Sequence, residues 1–344
     1  MKTILKHQDA DIEIEGITSG KNKITVKLLD NKLFMPYGMW ETAYPVDLIE
    51  QILSVKGPAW LCDEIMRDES VDYVQENLRY DLLSYISEEE FKNKRILDFG
   101  CGSGASTMAL CRMLPLTEIM GIELNDKLLS IAKLRAEHYG FDKVTLLLSQ
   151  NADVLPRSIG EFDYVMLNAV FEHLLPLERK ALLPELWNLL KPNGILFIME
   201  TPYKYFPVEF HTTGLPLINY FPDKIALFYA RNFSKRNLKK YTWENLLRMG
   251  IRGGSVGEIL KLMNDCRRKP TLLEPSGLVV KDRLDLWDIQ MNNYLKRSSL
   301  RGLKKSIFIF LGRIFLASSK LLRALTGDTF LPRLSIAIRK SSLD

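Results

Sequence analysis

Cysteine is scarce in this sequence, and long uncharged apolar runs are missing. Four cysteines (Cys62, Cys101, Cys111 and Cys266) are scattered over 344 residues, with no C-x-x-C pair and no histidine at zinc spacing. That excludes a disulfide scaffold and a cysteine-built metal site, and no metal is expected elsewhere; the thiols are expected to be reduced, in a cytoplasmic chain. No run of about 18 uncharged apolar residues occurs, so no segment is expected to span a membrane. The opening residues, MKTILKHQDADIEIEG, contain no apolar stretch of secretory-signal length. No internal repeat is visible. What is present is globular composition, with 47% hydrophobic, 26% charged and 10% aromatic residues. The length suggests about two domains.

The net charge of +5 is unevenly placed. Residues 296–344 hold eleven Lys or Arg against Asp328 and Asp344, a local +9, which leaves the rest of the chain at −4. A near-neutral body with a basic tail points to an anionic surface as a partner for the tail alone.

Hydrophobic periodicity supplies the elements. Ile12 and Ile14, then Ile24, Val26 and Leu28, alternate about Gly20 as a β-hairpin would, and residues 46–56 and 71–86 have helical spacing. From residue 94 onward, strands are expected at Lys94–Phe99, Ile119–Ile122, Val144–Leu148, Phe162–Leu167 and Ile195–Glu200. Helices at Ala105–Met113, Asp126–His138 and Leu177–Leu190 separate them. This alternation predicts an α/β fold, a doubly wound, Rossmann-like, mostly parallel sheet. The expected organisation is an N-terminal hairpin and helical extension (1–90), the core (91–200), a lid that also completes the sheet (201–295), and a basic tail (296–344). Within 201–240, nine aromatics crowd a proline-punctuated segment, read either as a lid over a pocket or as a satellite core. Ser255–Leu260 and Gly277–Val280 are read as strands that finish the sheet.

The strongest chemical signal is Asp98-Phe99-Gly100-Cys101-Gly102-Ser103-Gly104, where a strand turns into a helix. Glycines there let a ligand approach the backbone, and the helix start offers free N–H groups. Gly100, Gly102 and Ala105 also satisfy the dinucleotide pattern G-x-G-x-x-A, with Glu123 downstream. Asp98, just before the first glycine, argues against a pyrophosphate, because its charge would repel one; a ligand with an ammonium and a sulfonium would be attracted.

In this order of segments the sequence resembles the class I S-adenosylmethionine-dependent methyltransferases. ILDFGCGSG (96–104) looks like their glycine-rich first motif, and GIELN (121–125) like the second-strand acid segment. QNADVLP (150–156) looks like the segment bordering the adenine, FDYVMLNAVFEHL (162–174) like the fourth strand and active-site turn, and LLKPNGIL (189–196) like the turn before strand five. The resemblance implies S-adenosyl-L-methionine as cofactor, bound by Asp98, Gly100, Cys101, Gly102, Gly104, Glu123, Leu124, Asn151, Ala152 and Asn168. Glu123 would take the ribose hydroxyls, and Asn168 the methionine end. Asn151 stands where the family often has an acid, which weakens the adenine contact; Asp153 reads as a surface acid. Cys101 and Cys111 read as small buried spacers.

For the transfer itself, His173 on the active-site turn is the candidate base, with a structural histidine as its alternative, and His211 beside Glu209 in the aromatic segment is the second candidate. His7 and His138 look peripheral. No Asn-Pro-Pro-Tyr motif follows strand four, so a nucleic-acid amine is disfavoured and a small-molecule acceptor expected, a sugar or a lipid-linked metabolite. A non-catalytic cofactor-fold protein and a nicotinamide-dependent dehydrogenase remain as alternatives. Residues 300–325 form a broad apolar helical face edged by Arg301, Lys304, Lys305, Arg313, Lys320 and Arg323. Such a helix either lies on an anionic membrane surface, or packs on the domain or on a second copy in a homodimer.

Overall fold

A computed structural model describes residues 2–18, 20–30, 34–151, 154–264, 266, 268–298, 302–326 and 329–342. The chain begins with strands β1 (Lys2–His7), β2 (Ala10–Gly16), β3 (Asn22–Leu28) and β4 (Met39–Thr42), then helices α1 (Val46–Lys56), α2 (Leu61–Glu69) and α3 (Glu76–Leu83). Next come β5 (Arg95–Phe99), α4 (Ala105–Met113), β6 (Glu118–Glu123), α5 (Asp126–Tyr139), β7 (Val144–Leu148) and β8 (Phe162–Asn168). Helix α6 (Pro176–Leu189), β9 (Leu190–Pro202), the short β10 (Val208–Glu209) and β11 (Leu215–Pro216), α7 (Asp223–Phe233), α8 (Trp243–Arg248) and α9 (Val256–Met263) follow. The chain closes with β12 (Pro270–Leu272), α10 (Arg283–Arg297), α11 (Gly302–Thr326) and β13 (Arg333–Lys340). The result is a mixed α/β fold with a mostly parallel sheet. It divides into two compact units, residues 1–78 with 101–148, and residues 79–100 with 149–344.

In the first unit, β1 to β4 form an antiparallel meander in which Ile12 faces Val26 and Ile14 faces Ile24. The alternation puts Ile12, Ile14, Ile24 and Val26 on one face, where Leu48, Ile49 and Ile52 of α1 and Leu61 and Ile65 of α2 close the core. Strands β6 and β7 pair in parallel. Between them, α5 starts where the Asn125 side chain accepts the Lys127 and Leu128 N–H groups, and ends at Gly140 with φ of 64°.

In the second unit, β5, β8 and β9 are parallel neighbours with near-continuous buried runs, as strands covered on both faces require. The expectation that strands at Ser255–Leu260 and Gly277–Val280 finish the sheet is corrected here. Ser255 caps α9, accepting the Glu258 N–H, and the following residues are helical. The sheet continues instead through β13, antiparallel to β9, and β12, antiparallel to β13. Strand β13 lies inside the segment read as a tail, so the sheet is not complete before residue 295. Segment 201–240 is also more ordered than a loop: it contains α7, and Ile218, Ala226, Ala230 and Leu238 join Leu246 and Ile251 in a separate core.

Candidate functional site

The glycine turn begins at the buried Asp98, near the end of β5. Gly100 has φ of 75°, and a Cβ there would lie 2.6 Å from Val170 Cγ2. That position therefore needs glycine on conformational and steric grounds alike. Cys101 donates its N–H to the Ile122 carbonyl at 3.0 Å, and its buried side chain sits against Gly121, as a spacer would. Gly104 has φ of 86°, and a Cβ would meet Ala132 at 2.8 Å, so α4 can start here only without a side chain. Gly102 differs: nothing lies within 4 Å of its missing Cβ, and its N–H donates to Glu123 Oε2 at 2.8 Å.

Glu123 ends β6. Its Oε1 accepts the Leu124 and Asn125 N–H groups, each at 2.9 Å, which fixes the carboxylate at the strand end. Oε2 holds a single backbone donor and so keeps a lone pair for a ligand hydroxyl. Leu124 is exposed beside it.

Beneath the turn lies a buried ionic cluster that no motif announced. Arg135 of α5 is fully buried and donates Nη1 to the Ser103 carbonyl at 2.8 Å, Nη2 to the Glu64 carbonyl at 2.7 Å and Nε to the Tyr44 hydroxyl at 3.0 Å. Ser103 Oγ donates to Glu64, and Tyr44 to Asp68, which also accepts from Tyr139 and Arg112. Burial alone would raise the Glu64 carboxyl, but Arg135, with Lys56 and Arg67, pulls it down to about 2. The cluster clamps the turn through Ser103. Its only sequence signal is an arginine on the apolar side of a helix.

In the second unit, Asn168 ends β8, and Ala169 follows with φ of 55°. One helical turn, Phe171–His173, carries Glu172 and His173. Glu172 is 1% exposed; its Oε2 accepts from Thr201 Oγ1 at 3.1 Å, while its buried Oε1 has no hydrogen-bond partner. Burial pushes this carboxyl up to about 7. His173 Nδ1 is 2.8 Å from the Arg248 carbonyl, to which it must donate, leaving Nε2 unprotonated at 3.7 Å from Glu172 Oε1. Burial lowers the pKa of His173. His211 is assembled the same way, with Nδ1 donating to the Met249 carbonyl at 2.9 Å. Burial, followed by the neighbouring His173, brings it down to about 4. Its loop is held by Glu209, which accepts the Thr212 and Thr213 N–H groups at 2.7 and 2.6 Å.

The two candidate histidines, 38 residues apart in sequence, thus share one place, with ring centroids 5.4 Å apart. Sequence reasoning named both but gave no part to Glu172 beyond its place in a motif, nor any to residues 248–250. Asn151 is exposed, with its carbonyl accepting from Ser149 Oγ at 3.1 Å; Ala152 and Asp153 lie outside the described residues. A separate cleft of about 1530 Å³ is lined by Tyr203, Tyr205, Lys180, Lys204 and Lys261 among others, and by none of the sequence-predicted site residues.

Residues 96–194 match a family model described as a methyltransferase domain. Among curated relatives, the ubiquinone biosynthesis O-methyltransferase of Pelagibacter ubique is 27% identical over 128 residues, covering 37% of this chain and 50% of that protein. The demethylmenaquinone methyltransferase of Thermus thermophilus is 33% identical over 109 residues, covering 32% and 48%. The chain spans about half the length of the curated relatives it matches. Among solved structures, an O-methyltransferase family protein from Burkholderia thailandensis is 12% identical, with a TM-score of 0.42, over 82% of this chain and 60% of that one.

Proposed function

We propose, on the premise that residues 96–194 form a class I S-adenosylmethionine-dependent methyltransferase domain, that this chain transfers a methyl group from S-adenosyl-L-methionine to a small-molecule acceptor. The observation that carries the reading is the family match over residues 96–194, a range that includes the glycine turn and the turn before Ile195. The Glu123 carboxylate, fixed at a strand end with Oε2 on the Gly102 N–H, supports a role in gripping ribose hydroxyls. Asp98, Gly100, Cys101, Gly102, Gly104, Leu124, Asn151, Ala152 and Asn168 complete the proposed cofactor set.

Methyl transfer is an in-line displacement with a neutral leaving group, so the protein's task is alignment and management of the acceptor's proton. Glu172, His173 and His211 are the groups proposed to act on the acceptor, His173 first among them. A lipid-linked acceptor is favoured. Two relatives are named for quinone-pathway methylations, and α11 leaves an apolar stripe in solvent. Among the described residues no helix is long and apolar enough to cross a membrane, so α11 is proposed to lie on an anionic membrane surface.

The test is to incubate the protein with methyl-labelled cofactor and fractionated lipid and aqueous extracts. Label appearing in one lipid-soluble product supports the reading. Cofactor that binds and is never turned over by any fraction would make the chain a binding protein.

A further inference from the structure

We infer that Glu172, His173 and His211 form a binding site for a divalent transition-metal ion. One ligand atom from each lies within 4.8 Å of the others, although the three come from two separate stretches of chain. A metal bound by imidazole and carboxylate at about 2.1 Å places tetrahedral ligand atoms about 3.4 Å apart. The Glu172 Oε1 to His173 Nε2 separation of 3.7 Å is already close to that. Small side-chain rotations would close the set.

Three further features point the same way. Glu172 Oε1 is a buried carboxylate oxygen with no hydrogen-bond donor, an arrangement that is costly unless something cationic completes it. Both histidines donate Nδ1–H to backbone carbonyls, those of Arg248 and Met249, which fixes the tautomer and leaves each Nε2 with its lone pair. Orientation of a ligating imidazole by a carbonyl on its other nitrogen is the usual outer support of a metal site. The loop that supplies those carbonyls turns at Gly250, φ 92°, where a Cβ would fall 2.8 Å from His211 Nδ1 and 3.0 Å from Glu172 Cγ. Only a glycine lets the backbone come this close to both ligands. The nearby guanidinium of Arg179 is neutralised by Glu258 at 2.9 Å, so it does not repel a cation outright.

Two nitrogens and one carboxylate oxygen suit zinc, cobalt, manganese or ferrous iron better than magnesium or calcium, which take all-oxygen sets. Three protein ligands leave coordination positions open, and both histidines are partly exposed to solvent. Resting on the methyltransferase reading, we take those positions to hold an acceptor oxygen, whose proton the ion would make easier to lose.

Cobalt(II) alone, titrated into the full-length protein, is the probe, followed by visible absorption and calorimetry. The expected result is one strong site per chain with the spectrum of a nitrogen- and oxygen-ligated ion. Glu172→Gln and, separately, His211→Gln should each weaken it by about ten-fold or more. His211 sits on a surface loop, so its variant remains informative if Glu172→Gln does not fold; thermal unfolding checks both. No stoichiometric binding, or equal binding by wild type and variants, overturns the site. Metal binding without any methyl transfer would refute the methyltransferase reading and leave the site standing; methyl transfer without metal binding would do the reverse.

Discussion

His173 and Glu64 show how differently buried and half-exposed polar groups can be used. His173 is held at one nitrogen by the Arg248 carbonyl and presents the other beside Glu172. His173→Ala should lower turnover by roughly 10²–10⁴-fold while leaving S-adenosylhomocysteine affinity within two-fold or so, since the residue is assigned to the acceptor. Near-normal turnover would make it a structural histidine. Glu64 is instead tied into the buried cluster with Ser103 and Arg135. Its carboxyl, held at about 2 by Arg135 against the cost of burial, lies below its ordinary 4.5. The stability it contributes is therefore complete above pH 4.5 and is lost as pH falls toward 2, on the order of 3 kcal/mol in all. Denaturant unfolding at a series of acid pH values should show that slope in wild type and lose much of it in Glu64→Gln. An unchanged slope would mean that Arg135 does not stabilise this carboxylate.

Among the elements, α11 packs on its own domain along one side and leaves an apolar side exposed. Phe315 and Leu316 pack with Trp287 and Leu284 of α10, and Arg323 pairs with Asp282 at 2.6 Å, so one side is structural. Leu303, Ile307, Phe310, Leu311, Ile314, Leu321 and Leu325 remain exposed on a stripe about 100° wide at helical spacing. Lys320 and Arg323 already face the acids of α10, leaving Lys305 and Arg313 among the described side chains for an anionic leaflet. Attachment should accordingly depend more on apolar insertion than on charge, and salt should weaken it only in part. Phe310→Asp with Ile314→Asp should abolish co-sedimentation with anionic vesicles without changing cofactor binding. Retained sedimentation would refute the membrane role, and conversion of a dimer to a monomer would assign the stripe to a second copy. Removing 296–344 is not a usable test, because it takes β13 from the sheet.

The same contrast separates what was readable in the sequence from what was not. Strands β5, β6 and β8 and helices α4 and α5 were legible because each carries its own periodicity and its own end signals, Gly104 and Asn125 among them. Ser255 to Leu260 misled because six residues with Val256, Ile259 and Leu260 as the apolar positions are too few to fix either period; the Ser-x-x-Glu cap was the better signal. Strand β13 was hidden because its buried Ile336 and Ile338 sit among Arg333, Arg339 and Lys340, and the charge suggested a tail.

Across the whole molecule, the residues proposed to hold the cofactor could be named because they fall in short segments whose order is itself the signal. The proposed acceptor side was only half visible: His173 and His211 could be named, but their meeting with Glu172 over the 248–250 loop depends on folds of the chain that no local pattern records. Cofactor binding is the premise on which every other assignment depends. Isothermal calorimetry of the full chain with S-adenosylhomocysteine and with NAD, on wild type and Glu123→Ala, tests it most directly. The predicted result is one S-adenosylhomocysteine per chain, no heat with NAD, and a loss of about 1.5–3 kcal/mol in Glu123→Ala, as expected when a charged acceptor of two hydroxyl bonds is removed. Tight NAD binding with no S-adenosylhomocysteine binding would contradict the account, and an unchanged dissociation constant in the variant would remove Glu123 from the site.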